Sequence, residues 1–187
     1  MIKNFQLDCP HYGLRRLSLN SNRLSIYGAH LTPCLISLSL NRNSIFCIEN
    51  EQEFRDLEEL NLENQNVSDK IDIRLNRIPS LAHANLSRCN LSKHFIPFSH
   101  SNKELKSLDI SYSSISRLDS LFLPLYQGNV CYLSLKGNEL ENIEPLSYMR
   151  SLRLLDLSDN RLKDPVHIIL IVQKLRHLEN LDLRYLK

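Results

Sequence analysis

The chain has 187 residues, 42% hydrophobic and 24% charged, a composition that fits a globular domain with a sizeable core and excludes a disordered chain. With 23 basic and 21 acidic residues the formal charge is +2, so there is no bulk attraction for polyanions and no nucleic-acid partner is expected. The longest apolar run, Ile168 to Val172, is too short for a bilayer and the first residues lack a signal-peptide core, so a soluble cytoplasmic chain with no membrane partner is expected.

Residues 1–13 read as the closing half of a repeated unit, with Phe5 and Leu7 pointing inward. The unit itself begins with LRRLSLNSNRL at Leu14. It recurs as LISLSLNRNSI from Leu35, LEELNLENQNV from Leu57, LAHANLSRCNL from Leu81, LKSLDISYSSI from Leu105, VCYLSLKGNEL from Val130, LRLLDLSDNRL from Leu152, and an incomplete LENLDLRYLK from Leu178. Successive starts lie 21, 22, 24, 24, 25, 22 and 26 residues apart. A period this regular marks stacked units, none of which can bury its apolar face alone.

Leucines at the first, fourth, sixth and eleventh places, with asparagine at the ninth, fit neither a helical face nor a continuous alternating strand. The central LxL alternates on a short parallel strand, and the outer leucines fill the core from the turns on either side. The ninth column reads Asn22, Asn43, Gln65, Cys89, Ser113, Asn138, Asn160. Its side chains are expected to bond backbone groups exposed where the chain leaves each strand, forming a ladder. Cys89 and Ser113 offer fewer bonds than an amide, so the middle of the ladder is irregular.

Between the strands, LENIEPLSYMRS after Leu140 predicts a compact return with Ile143 and Leu146 inward. The longer LKDPVHIILIVQKLRH predicts a helix with Asp164 as N-cap and Pro165 at its first position. Val166, Ile169, Leu170 and Leu175 are placed on its inward face, which leaves Ile168 and Ile171 for the neighbouring return or a partner. The segments FIPFSH (95–100) and LFLPLYQG (121–128) read as extended or single-turn. Cys9, Cys34, Cys47, Cys89 and Cys131 are odd in number, with no CxxC pair, and read as buried small hydrophobes of a reducing compartment. The eighth unit stops after its strand, with Leu186 in the ladder place, and neither end shows a cap. A piece of a longer solenoid is expected.

Eight matches to LxxLxLxxNxL in register are identified as the signature of leucine-rich repeat proteins. The implied fold is α/β: a solenoid over residues 1–187 with a curved parallel sheet on the concave side, and loops, short 3-10 turns and helices on the convex side. About eight repeats start near 14, 35, 57, 81, 105, 130, 152 and 178.

Solvent-facing strand positions are the third, fifth, seventh and eighth of each unit, and small polar residues dominate them. His83, Arg88, Tyr112, Tyr132 and Lys136 combine cationic donors with aromatic area in the fourth to sixth repeats, suiting an acidic or phosphorylated peptide. Asp156, Asp159 and Asp182 make the later end acidic, and Arg42 adds a cation earlier on the same face. Catalysis has no comparable support. The seven histidines are scattered, the four glycines are not grouped, and no HExxH or nucleophile-elbow motif occurs. No cofactor, metal or small-molecule substrate is expected.

Residues 57–187 also resemble the repeat domain of the fungal spindle-pole-body scaffold of septation-initiation and mitotic-exit signalling. The segments that carry this are LEELNLENQN with its Gln65-Asn66 ending, NLSRCNLS around Cys89, LKSLDISYSSI, CYLSLKGNELENIEPL and LENLDLR. The resemblance implies a non-catalytic platform that anchors signalling proteins at the spindle pole. The returns in LENIEPLSYMRSLRLLDLSDNRL are similar to those of the leucine-rich regulatory subunit of protein phosphatase one, which implies a catalytic subunit held on the concave face.

Overall fold

The repeated LxL triplets form strands of three residues each. The computed structural model describes residues 1–67, 73–91, 102–118 and 128–186. In chain order the strands are β1 (Arg16–Ser18), β2 (Ile26–Gly28), β3 (Ser37–Ser39), β4 (Cys47–Glu49), β5 (Glu59–Asn61), β6 (His83–Asn85), β7 (Ser107–Asp109), β8 (Tyr132–Ser134), β9 (Leu154–Asp156) and β10 (Asn180–Asp182). Eight of them make one sheet in the order β1-β3-β5-β6-β7-β8-β9-β10, every pair parallel. The register aligns Leu17, Leu38, Leu60, Ala84, Leu108, Leu133, Leu155 and Leu181, the fourth place of each repeat. These side chains are buried in the interior strands and half-buried in the two edge strands, because an edge strand has a neighbour on one side only.

The ladder forms as the ninth column predicts, and each rung reaches two repeats. Asn43 donates to the carbonyls of Leu40 in its own repeat (2.8 Å) and Leu19 in the one before (3.0 Å), and accepts from Leu24 N (3.1 Å). Gln65 spans Leu62 and Leu40 and accepts from Ile45 N. Asn160 spans Leu157 and Leu135 and accepts from Leu140 N. Cys89 keeps the donor half of this pattern: its thiol points at Leu62 O (3.0 Å) and Ser87 O (3.5 Å). Burial pushes that thiol up to about 11. Asn22 accepts from Ile2 N (2.8 Å), and Phe5 is half-buried against Tyr27, so residues 2–5 sit one repeat ahead of Leu24 and Tyr27. Leu7 is 36% exposed rather than inward.

The return segments hold a feature that the repeat pattern does not announce. β2 and β4 pair in parallel as a second, two-stranded sheet, Tyr27 beside Ile48. Tyr27 is stacked between Phe5 (5.7 Å between centroids) and Phe54 (6.4 Å), with its hydroxyl 2.5 Å from Thr32 Oγ1. Short 3-10 turns follow at Ala29–Leu31, Glu51–Glu53, Leu75–Arg77 and Glu144–Tyr148, the last with Ile143 and Leu146 fully buried as expected. Segments 95–100 and 121–127 lie outside the described residues.

Helix α1 (Pro165–Val172) starts where the sequence places it, with Asp164 Oδ1 accepting from Val166 N (2.9 Å) and His167 N (3.1 Å). Its buried face is different. Ile168, Ile171 and Leu175 are buried, at i, i+3 and i+7, while Val166, Ile169 and Leu170 are 64%, 56% and 54% exposed. The helix packs against the Glu144–Tyr148 turn, and His167 Nε2 lies 3.3 Å from Asn142 Oδ1. That contact accompanies the rotation that turns Ile168 and Ile171 inward. Among the cysteines only Cys89 is buried; Cys9 is exposed and the other three are half-buried, so the small-hydrophobe reading holds for one of the five.

Candidate interaction surface on the concave face

The parallel register turns the sequence columns into rows across the sheet. The third-place row runs Arg16, Ser37, Glu59, His83, Ser107, Tyr132, Leu154, Asn180. His83 and Tyr132 are therefore two strands apart, about 10 Å at the usual strand spacing. They line one open groove of about 550 Å³ together with Glu59, Asn61, Asn85 and Asp109.

The fifth-place row is mostly occupied with its own backbone. Asn85, Asp109, Asp156 and Asp182 each accept through Oδ1 from the N–H two residues on, at 3.0, 2.9, 2.9 and 3.0 Å. This is the Asx turn, which satisfies a strand-end donor that the sheet leaves free. Asp156 also accepts from Ser158 Oγ (2.6 Å), and Asp182 holds the Arg184 guanidinium at 2.6 Å. Arg184 pulls the Asp182 carboxyl down to about 2. Two of the three acids expected to make the later end acidic are thus structural caps first.

The eighth place has the least ordinary backbone. Ser21, Arg42, Asn64, Arg88, Tyr112, Gly137, Asp159 and Tyr185 all have positive φ, between 51° and 64°. Each repeat leaves its strand through one left-handed residue, and only one of the eight is glycine. The turn lays these side chains along one line. The Arg88 guanidinium carbon sits 4.6 Å from the Tyr112 ring centroid. The Tyr112 ring crosses Gly137, where a Cβ would come within 2.2 Å of it. Its hydroxyl lies 3.4 Å from Asp159 Oδ2, which also faces Lys136 Nζ at 3.9 Å.

Four of the nine expected residues, Arg88, Tyr112, Lys136 and Asp159, therefore form one strip. Arg42 is exposed two strands before Arg88 in the same row and stays apart. The charge of the strip is more balanced than its cations suggest, because Asp159 faces Lys136. Sequence columns missed Asp109 and Gly137. Asp109 and Asp156 flank the half-buried Tyr132, and burial first, then these two carboxylates, push its hydroxyl above the ordinary tyrosine value, against a hydrogen bond with Ser134. The signal for the caps was present: Asn or Asp in the fifth place of five repeats is Asx-turn chemistry.

Replacing Gly137 with alanine is expected to cost about 1–2 kcal/mol from the left-handed backbone, with further loss from displacing the Tyr112 ring. Urea unfolding of Gly137→Ala, Tyr112→Ala and the double variant checks this. The steric part should vanish in the double variant, so strictly additive values would refute the packing.

Among the described residues no three His, Cys, Asp or Glu side chains are grouped to hold a metal ion, and no helix is long and apolar enough to cross a membrane. No protein-family model and no curated protein matches the chain. Solved structures do. The chain is similar to an internalin (inlF) from Listeria monocytogenes, 17% identical with a TM-score of 0.66 over 90% of this chain and 47% of that one. The leucine-rich repeat domain of APL1B is 25% identical, TM-score 0.61, over 92% and 55% respectively. A chain of the LRIM1/APL1C complex is 24% identical, TM-score 0.60, over 90% and 30%. The chain spans about half the length of the internalin it matches. The in-register parallel sheet, the ladder and these likenesses agree that the chain folds as a leucine-rich repeat solenoid.

Proposed function

We propose that the chain is a non-catalytic protein-interaction module whose concave face holds a peptide or protein surface. The observation that supports this reading is the Arg88–Tyr112–Asp159–Lys136 strip beside the His83–Tyr132 groove. A tyrosine held between a guanidinium and a carboxylate loses little freedom on binding, and Tyr and Arg are the residues that dominate interface energetics. A guanidinium stacked on a ring still presents its N–H edge to a carboxylate or phosphate. An acidic or phosphorylated side chain of the partner meets Arg88 there, and a basic one meets Asp109 and Asp156 beside Tyr132. The bound proteins named with the structural neighbours, as in the LRIM1/APL1C complex, are consistent with a binding role for this fold.

Arg88→Glu combined with Lys136→Glu should weaken partner capture about tenfold or more while the domain stays folded, since Arg88 is exposed and the Lys136 side chain 31% exposed. Unchanged capture by the double variant would remove the concave site.

Two finer readings concern the partner. The likeness of residues 57–187 to the spindle-pole-body scaffold supports a cytoplasmic platform at the spindle pole that anchors septation or mitotic-exit signalling proteins. The likeness of the returns after Leu140 supports a regulatory subunit that grips the catalytic subunit of protein phosphatase one. Affinity purification of the endogenous protein with mass spectrometry separates them: spindle-pole components favour the first, phosphatase catalytic subunit the second, and the absence of both rejects the pair.

A further inference from the structure

The convex side carries a second surface whose chemistry differs from that of the concave strip. Between the Glu144–Tyr148 turn and the end of α1 lies a recess of about 610 Å³ lined by Ser147, Tyr148, Arg150, Gln173, Lys174, Arg176 and His177. Four of these side chains are arginine, lysine or histidine, and none is a carboxylate. Val166 and Leu170, at i and i+4, follow one line along the helix on the side away from the buried Ile168, and Lys174 follows in the turn just past its end. Val166 and Leu170 are more than half exposed, and Tyr148 from the neighbouring turn is 62% exposed. An apolar stripe therefore runs down the helix into a cationic recess.

Two simpler accounts explain only parts of this. Cations near a helix C-terminus complement its dipole, which accounts for Lys174 and Arg176 but not for Arg150 or Tyr148, which come from the preceding return. Stacking of a further repeat would cover the side of α1 away from Asn142. The recess lies on the near side, between two returns of the described structure, and stays open.

We propose that this surface docks a phosphorylated segment of a partner protein, with apolar side chains on Val166 and Leu170 and a phosphate in the recess. Charge complementarity selects that occupant. Two guanidiniums, an ammonium and an imidazole around one hollow offer a dianion several charge-assisted hydrogen bonds. An anionic membrane fits less well, because the recess is concave and the opposite ends of the same two elements begin with Glu144 and Asp164.

The test uses the whole chain and a fluorescent peptide bearing leucines one helical turn apart followed by paired phosphoserines, read by anisotropy. The phosphopeptide should bind, and its serine counterpart should bind at least about tenfold more weakly. Arg150→Glu with Lys174→Glu should abolish binding, Leu170→Asp should weaken it, and Arg88→Glu with Lys136→Glu should leave it unchanged. All but Lys136 of these positions are exposed, and a circular-dichroism melt verifies that each variant folds. No binding, equal binding of the serine peptide, or loss only in the concave-face variant would overturn the proposal. So would binding to phosphatidylserine–phosphatidylcholine vesicles in place of the peptide. Because the concave variant is part of the set, failure here is separable from failure of the concave-face reading.

Discussion

Asn138→Ala should lower the unfolding free energy by about 3–5 kcal/mol, a large fraction of the whole stability of a typical domain. Asn138 is 4% exposed and makes bonds in three directions. Its Oδ1 accepts from Ser113 N (3.1 Å) and Ile115 N (3.0 Å), and its Nδ2 donates to Ile110 O (3.0 Å) and Leu135 O (2.8 Å). Alanine leaves these buried groups without their partner, and each orphaned group costs about 1–3 kcal/mol, less whatever relaxation or an entering water recovers. Asn138→Asp keeps the acceptor but sets a buried carboxylate oxygen against the carbonyls of Ile110 and Leu135, so it too should be less stable than the parent. Chemical denaturation of the purified chain reads both. A loss under 1 kcal/mol for the alanine variant would mean that the ladder is decoration on a stack held by leucines alone.

Tyr27→Ala should be as damaging, about 4–5 kcal/mol, because it empties a ring-sized space between Phe5 and Phe54 and strands the Thr32 hydroxyl. The milder Tyr27→Phe isolates the hydroxyl and carries a pH signature. Burial, only partly offset by the bond to Thr32, pushes the Tyr27 hydroxyl up to about 12 from the ordinary 10. The unfolded chain therefore releases this proton first. The stabilisation is fully present below pH 10 and is lost as pH rises from 10 to 12, by about 3 kcal/mol in all. Cys89, raised to about 11 from 9, acts the same way in the window from 9 to 11. Stability measured against pH should thus fall in two overlapping alkaline steps. The upper step should disappear in Tyr27→Phe, and its persistence there would show that another group controls it.

The strands, their register and the ladder were legible because one leucine spacing, repeated in phase, specifies all three. Every residue of the ninth column sits where that spacing puts it. The rotation of α1 was not legible. Val166, Ile168, Ile169, Leu170, Ile171 and Val172 are all apolar, so the sequence offers no polar face to exclude, and the buried face depends on packing against the Glu144–Tyr148 turn of another repeat. The small β2–β4 sheet was missed for a related reason: the leucine pattern ends at Leu24 and Ile45, and the pairing of Tyr27 with Ile48 depends on two returns being in step. On the concave face the places align in rows as the spacing implies, but Ser87, Ser111 and Ser158 at the seventh place and Ser134 at the fifth are buried rather than solvent-facing, and the charge pairing was not visible. Columns give the height of a side chain on the sheet, whereas a left-handed residue at the eighth place sets its direction, and that direction brings Asp159 to Lys136 and Tyr112 over Gly137.

A rung that grips its own repeat and the one before ties each layer to its predecessor, so pulling on either end distributes load along the column. The thiol at Cys89 holds with its proton only, and Ser113 reaches Leu86 O and Ser111 O through a single hydroxyl. The stack is therefore tied by fewer ladder bonds near its midpoint, between β5 and β7, and under tension the two arms are expected to part there first.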